Sequence, residues 1–407
     1  MVKFFTTKRL LLIIGIFIVL FSLLVFGNLT IVKANPGGYD LFPHWYATRL
    51  YIKDGINPYS DLSVSMINNT ISTVLNPSEG EVYRYVAPLY AIIFYSPVSL
   101  IGDFEIARAL WLALLETMVI IIVLLLVQWV NWKRRIATVS LFMVLMLLSW
   151  PTVNAIIEGS ILIVAFLLFV ISATLIHQKH DEAGGLLLAF STIHPMLFGL
   201  GALLVLVWAA FQRRTRIIWW FLGSFVLLIG FSVLLIPDWL FSYVSILTDY
   251  VGFNPMVSVS SIENQMVDRL LLAKSVAILL LLAFEWIVVK GQGNRRLTWN
   301  FALLFLLLPW MARNIPIENT ILYTPGLILA LCLFNERWQG KAKFITYFLT
   351  CLLFIMVWLF SGSLLPGLSI VLSRIVLFVV QPFMILIFIY WSRWWVLSLE
   401  KFGRTNS

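Results

Sequence analysis

Asp40 is the residue of this chain best placed for acid–base chemistry. It opens an aromatic run, Tyr39-Asp40-Leu41-Phe42-Pro43-His44-Trp45-Tyr46, followed by Gly55-Ile56-Asn57-Pro58-Tyr59. A carboxylate held there can take the proton of a hydroxyl as that oxygen attacks a carbon, which is general-base work. With Pro43 in the first turn, Asp40 also has the type and position of an N-cap for a helix running to about Lys53. On that helix Leu41, Trp45, Thr48 and Ile52 share a face suited to lying on lipid, while Phe42, Tyr46, Arg49 and Lys53 share another. A cap needs no crowd of rings, so Tyr39, Phe42, Trp45 and Tyr46 are an interfacial belt or platforms for sugar faces.

A second set is cationic. Arg84, Arg108, Arg269 and Arg313, with Arg49, Lys53, Lys274 and Arg374, border or enter apolar segments. A charge in that zone costs at least a few kcal/mol. Some of these residues have acids beside them, Asp268 next to Arg269 and Glu105 near Arg108. Others can grip an anion, and the arginine fork suits a polyprenyl phosphate headgroup. His194, followed by Pro195 at an apparent helix break, joins this phosphate-binding set, whereas an isolated histidine usually serves packing. Groups able to hydrogen-bond sugar or acceptor hydroxyls are Tyr39, His44, Glu158, Asn264, Gln265 and Glu318. Glu116 lies mid-span and is expected to face the bundle and pair internally.

Several chemistries find no support. No His-x-x-His, Asp-x-Asp or carboxylate pair at ligand spacing occurs, and no Walker or Rossmann glycine pattern, so neither a metal nor a cofactor is expected. Cys332 and Cys351 both fall in apolar helices and read as packing residues. The Asn68-Asn69-Thr70 sequon matters only in a eukaryotic cell.

The elements that must hold these groups are membrane helices. The chain has 407 residues, of which 61% are hydrophobic and only 12% charged. A soluble domain of this size carries about 25% charged residues. The net charge of +9 therefore reports orientation and an anionic lipid surface rather than nucleic acid. Basic clusters at Lys133-Arg134-Arg135, Arg213 to Arg216, Lys290 with Arg295-Arg296, Arg337 to Lys343 and Arg393 to Arg404 are placed in the cytoplasm. Twelve spans then alternate: 10–32, 104–130, 136–151, 159–176, 183–194, 196–211, 217–236, 270–289, 298–312, 319–335, 344–360 and 369–391. Both termini are cytoplasmic, the first span is retained rather than cleaved, and 33–103 and 237–269 are large external segments. The whole chain, 1–407, reads as one polytopic domain. Residues 86–101, interrupted by Pro88 and Pro97, are expected as a juxtamembrane or re-entrant helix, and 183–194 is too short to cross alone.

At this point the chain resembles glycosyltransferase family 87 of the GT-C superfamily. The residues that carry the likeness are Tyr39-Asp40 with Tyr46-Ala47 and Leu50, then Gly55-Ile56-Asn57-Pro58-Tyr59. Tyr85-Val86-Ala87-Pro88-Leu89, Ser96-Pro97-Val98 and Ala109-Leu110-Trp111 follow in the family's order. The chain departs from the pattern at Ala87 for a proline, at His194 for the usual lysine, and at Glu318-Asn319 where relatives often have Trp and His. The resemblance implies an all-α GT-C-type bundle and an inverting, mannosyltransferase-like transfer from a polyprenyl monophosphate sugar, with Asp40 as general base. The acceptor is a glycolipid, a glycan or a protein at the outer face of the cell membrane. The competing reading is a lipid-linked-sugar flippase or secondary transporter, but such proteins place essential charges near the bilayer midplane. Here the candidates gather at one surface.

Overall fold

The computed structural model describes residues 7–35, 37–75, 82–130, 136–252, 262–288, 294–311, 317–337, 342–360 and 375–402. They are mostly helical, with no strand among them, as expected of apolar runs that must satisfy their own backbone in lipid. Helices overlap each of the twelve expected span positions. Fewer meet a length and hydropathy test for crossing a membrane. Among the described residues five do: Ile14–Ala34, Phe104–Trp129, Thr215–Leu235, Ile317–Phe334 and Val376–Arg393. They become six if Val139–Leu147 and Trp150–Glu158, bent by 53°, form one span.

The Cα positions group into two compact units. The first comprises residues 1–118, 156–161 and 230–248. It holds α1 (Thr7–Ala34), α2 (Leu41–Asp54), α3 (Asp61–Val74), a 3₁₀ turn at Leu89–Ala91 running into α4 (Ile92–Ser99), and the start of α5 (Phe104–Trp129). Apart from its inward contacts α1 is an exposed apolar rod, as a lipid-facing span should be. Asn28, 3% exposed, ties it to α5 by donating from Nδ2 to Glu116 Oε2 at 3.0 Å. Glu116 thus pairs internally, as its mid-span position predicts.

The 3₁₀ turn and α4 cover only Leu89–Ser99, so this stretch does not cross a bilayer core of about 30 Å. Instead α4 packs under α2. Trp45 Nε1–H donates to Val98 O at 3.0 Å and Arg49 Nη1 to Ser99 O at 3.0 Å, with the guanidinium over the Trp45 ring. This corrects the lipid-facing assignment of the α2 face. Leu41, Trp45 and Thr48 are buried in protein, and only Ile52 of that set is exposed. The periodicity is real; a protein helix, not lipid, covers it. Gly55 ends α2 in the left-handed region at φ 67°, which glycine adopts without strain.

The second unit comprises residues 119–155, 162–229 and 249–407. Here α6 (Ile136–Leu147) leads toward α7 (Trp150–Glu158), whose last residues belong to the first unit. The pair α8 (Leu162–His177) and α9 (Asp181–Ser191) forms a tight hairpin. Ser172 donates to Gly184 O at 2.7 Å, and a Cβ on Gly184 would lie 2.6 Å from Ile176 Cγ1. Asp181 is ion-paired with Arg214, which also lies over Trp208 of α10 (Pro195–Phe211). The chain continues through α11 (Thr215–Leu235) and α12 (Trp239–Gly252), of which residues 230–248 belong to the first unit, and then α13 (Ile262–Val288) and α14 (Asn294–Leu307). After 3₁₀ turns at Leu308–Met311 and Ile317–Tyr323 come α15 (Thr324–Arg337), α16 (Ala342–Phe360), a π turn at Val376–Val380 and α17 (Gln381–Phe402). An interlocked set of rings, Phe166, Phe169, Phe198, Phe301 and Phe305, forms its core. Buried Glu285 is neutralised by Arg393 at 2.9 Å. The segment 237–269 is far from all loop, since α12 fills its first half and α13 begins at Ile262.

Candidate active site

Asp40 stands at the N-cap position of α2, but its side chain makes no capping bond. Its φ of −76° and ψ of −40° are already helical, and Phe42 N–H goes to Gly38 O at 2.8 Å. The first turn is closed by the backbone, so the carboxylate is not consumed as a cap. Asp40 is exposed, and among the described residues its carboxylate has no hydrogen-bond or ion-pair partner.

The surroundings of that carboxylate are built from five pieces of the first unit. Tyr39 N–H donates to Glu158 Oε2 at 3.1 Å, placing a second carboxylate beside the first, close enough for the Asp40 charge to act on it. Tyr39 Oη donates to Leu75 O at 2.9 Å, and its ring stacks on Tyr83 at 6.0 Å. On the other flank His44 lies between Tyr95, stacked at 5.0 Å, and Tyr85, tilted at 5.0 Å. Val86 N–H donates to His44 Nε2 at 3.3 Å, so the proton is assigned to Nδ1, which donates to Asp40 O at 2.7 Å. Burial lowers the His44 pKa from its ordinary value, more than the Asp40 carbonyl and the Asp40 charge raise it. The imidazole is therefore a neutral brace for Asp40.

Behind His44 lies a nest of tyrosines. Tyr59 Oη donates to Ala87 O at 2.7 Å and its ring meets Tyr85 edge-on at 5.4 Å. Burial first, then the neighbouring phenols, pushes the pKa of Tyr59 and Tyr85 well above the ordinary tyrosine value. These phenols stay neutral and act as walls.

Arg108, a phosphate-binding candidate from the sequence, is buried. It is 1% exposed, with Nη1 donating to Asn35 O and Nη2 to Ile157 O, both at 3.1 Å. Its partners are carbonyls rather than Glu105. Arg84 is half-exposed on segment 82–87, between Tyr83 and Tyr85. The remaining candidates lie in the second unit. His194 stands at the N-cap position of α10, with no side-chain capping bond and Pro195 following, its ring 6.4 Å from that of Phe198. Glu318 accepts from Asn154 Nδ2 at 3.4 Å. Asn264, Gln265 and Arg269 fall on the first turns of α13, where side chains are not described, and Arg313 lies outside the described residues. Among the described residues no group of three or more His, Cys, Asp or Glu could hold a metal ion.

A sequence profile of glycosyltransferase family 87 matches residues 85–313, more than half of the 407-residue chain. The chain belongs to glycosyltransferase family 87. No curated protein and no solved structure matches it. The family makes this protein a membrane glycosyltransferase and disfavours the transporter reading. The matched region starts at Tyr85 and so includes Tyr85, Tyr95, Arg108 and Glu158 but neither Tyr59 nor Asp40. It also runs well past the motifs that first suggested the family. Tyr85 and Tyr95, which brace His44 in this family 87 protein, were not singled out for the site from sequence. The signal was the tyrosine density of 83–95, where Tyr83, Tyr85, Tyr90 and Tyr95 recur around Pro88.

Proposed function

We propose that the protein transfers a hexose, mannose-like, from a polyprenyl monophosphate sugar to an acceptor hydroxyl at the outer membrane surface. Asp40 is the general base. The acceptor oxygen attacks the anomeric carbon as its proton passes to the Asp40 carboxylate. The bond from that carbon to the phosphate oxygen breaks, and the polyprenyl phosphate leaves with the electron pair. Attack opposite the leaving group inverts the anomeric centre. Arg84 meets the phosphate charge, and Tyr39 offers a ring to the sugar. The fold behind this reading is a GT-C bundle of about twelve helices, several of them short or broken, with both termini cytoplasmic.

One observation carries the proposal. Asp40 occupies a capping position yet leaves its carboxylate exposed, with neutral His44 holding its main chain. A structural cap would use its oxygens on the helix. Incubating the detergent-purified protein with a radiolabelled polyprenyl-phosphate mannose and a lipid extract tests the reading. Labelled mannose appears in water-soluble or lipid-linked product if it is right. An unconsumed donor, with consumption of a nucleotide sugar instead, contradicts it.

A further inference from the structure

Three successive residues at the end of α7 are each tied to the turn that carries Asp40 or to the helix beneath it. Ile157 O accepts from Arg108 Nη2, Glu158 Oε2 accepts from Tyr39 N–H, and Gly159 O accepts from Trp111 Nε1 at 2.9 Å. Gly159 has φ 75°, and a Cβ there would lie 2.7 Å from the Leu41 Cβ, so the strand of contacts closes directly on the start of α2.

The turn itself is Gly37-Gly38-Tyr39. Gly38 has φ 83°, open to glycine and strained for other residues. Left alone, two glycines would let Asp40 wander. They are filled from beneath by the Arg108 side chain. A Cβ on Gly37 would sit 2.5 Å from Arg108 Nη2, and one on Gly38 2.9 Å from Cδ and Nε. Arg108 also reaches back to Asn35 O, just before the turn. Its charge is tolerated in burial because two carbonyls and the nearby Glu158 carboxylate answer it. Among the described residues its Nε has no hydrogen-bond partner, so the guanidinium is set by fitting the glycines rather than by saturating its donors.

We propose that Arg108 and Glu158 are positioning residues for Asp40. They grip the Gly37–Gly38–Tyr39 turn from beneath and from the side, and neither binds donor or acceptor. This rests on the reading of Asp40 as general base. A 1 Å misplacement of a reacting group can cost about 100-fold in rate, so the clamp matters to catalysis without touching substrate.

The test measures turnover at saturating substrates, and the donor Kd with polyprenyl-phosphate mannose, in detergent-purified variants. Glu158→Ala removes the acceptor of the Tyr39 N–H and should lower turnover by about 10- to 100-fold with the donor Kd within about 2-fold. Glu158→Gln keeps a carbonyl oxygen for that N–H and should recover most of the loss. Arg108→Lys, a point charge that cannot bridge Asn35 O and Ile157 O, should behave like Glu158→Ala. Should Arg108→Lys fail to fold, the two Glu158 variants decide the matter. In an Asp40→Asn background Glu158→Ala should cost little more, because it acts through Asp40. Three results would overturn the proposal: Glu158→Gln as slow as Glu158→Ala, a donor Kd weakened tenfold or more, or losses that multiply with Asp40→Asn. Near-normal turnover of Asp40→Asn alone would refute the base assignment instead, and is read from that variant by itself.

Discussion

The main-chain N–H of Tyr39 donates to the Glu158 carboxylate at 3.1 Å, joining positions 119 residues apart in the chain. That bond puts the end of α7 against the residue preceding Asp40. It turns an isolated acid in a long segment between two apolar helices into one member of a packed corner, with His44 on one side and Arg108 below. The predictions below test the parts of that corner and its side of the membrane.

Asn68 should be a structural asparagine. Its Nδ2 donates to Val64 O at 2.7 Å and Tyr83 O at 2.8 Å, and its Oδ1 accepts from Tyr83 N–H at 2.9 Å. These bonds fix segment 82–87, which carries Arg84 and Tyr85. Asn68→Ala leaves both Tyr83 groups without this partner and should destabilise the protein by about 2 kcal/mol, seen as a lowered thermal midpoint in detergent. An unchanged midpoint contradicts the clamp. In a eukaryotic host the sequon should also stay unglycosylated, because both amide hydrogens are engaged.

His44 should make stability fall in mild acid. Its folded-state pKa is lowered from 6.5 by burial, so the unfolded chain binds the proton more readily. The contribution is therefore complete above about pH 6.5 and lost as pH falls through the lower folded value. Asp40, Tyr85 and Tyr95 face the ring, and none of them removes the burial cost. Between pH 7.5 and 5.5 the thermal midpoint of wild type should drop more than that of His44→Gln. Parallel pH profiles would show that the ring is not held neutral.

Orientation can be read by thiol labelling. Asn69 is exposed in α3 and Gln178 is exposed after α8, on opposite sides under the positive-inside arrangement. In cells, Asn69→Cys should react with an impermeant maleimide and Gln178→Cys should not. Labelling at Gln178→Cys instead would put Asp40 in the cytoplasm.

Much of the fold was legible, because apolar runs in a low-charge chain leave little choice but helices, and Pro88 and Pro97 marked the short α4. The family was legible in the spacing from Asp40 to Trp111. What the sequence hid was partnership. The apolar face of α2 reads equally well as facing lipid or protein, and only the bond from Trp45 to Val98 O decides it. Arg108 reads as a misplaced cation in need of an anion, but its partners are the Asn35 and Ile157 carbonyls, which carry no signature in side-chain type. Glu158 reads as a residue of a short turn; its link to Tyr39 spans most of the way from the first helix to the seventh. The helices inside the 237–269 segment were hidden because polar residues such as Glu263 suit a helix start as well as a loop.

The most direct test of the account is the transfer rate of Asp40→Asn. Asparagine keeps the size and the N-cap preference of aspartate but cannot accept the hydroxyl proton. Asp54→Asn, at the other end of α2 and exposed, is the control. With folded yield and donor affinity near wild type, Asp40→Asn should turn over about 10²- to 10⁴-fold more slowly, and Asp54→Asn should be close to normal. A well-folded Asp40→Asn protein that transfers sugar at nearly the wild-type rate would contradict the account.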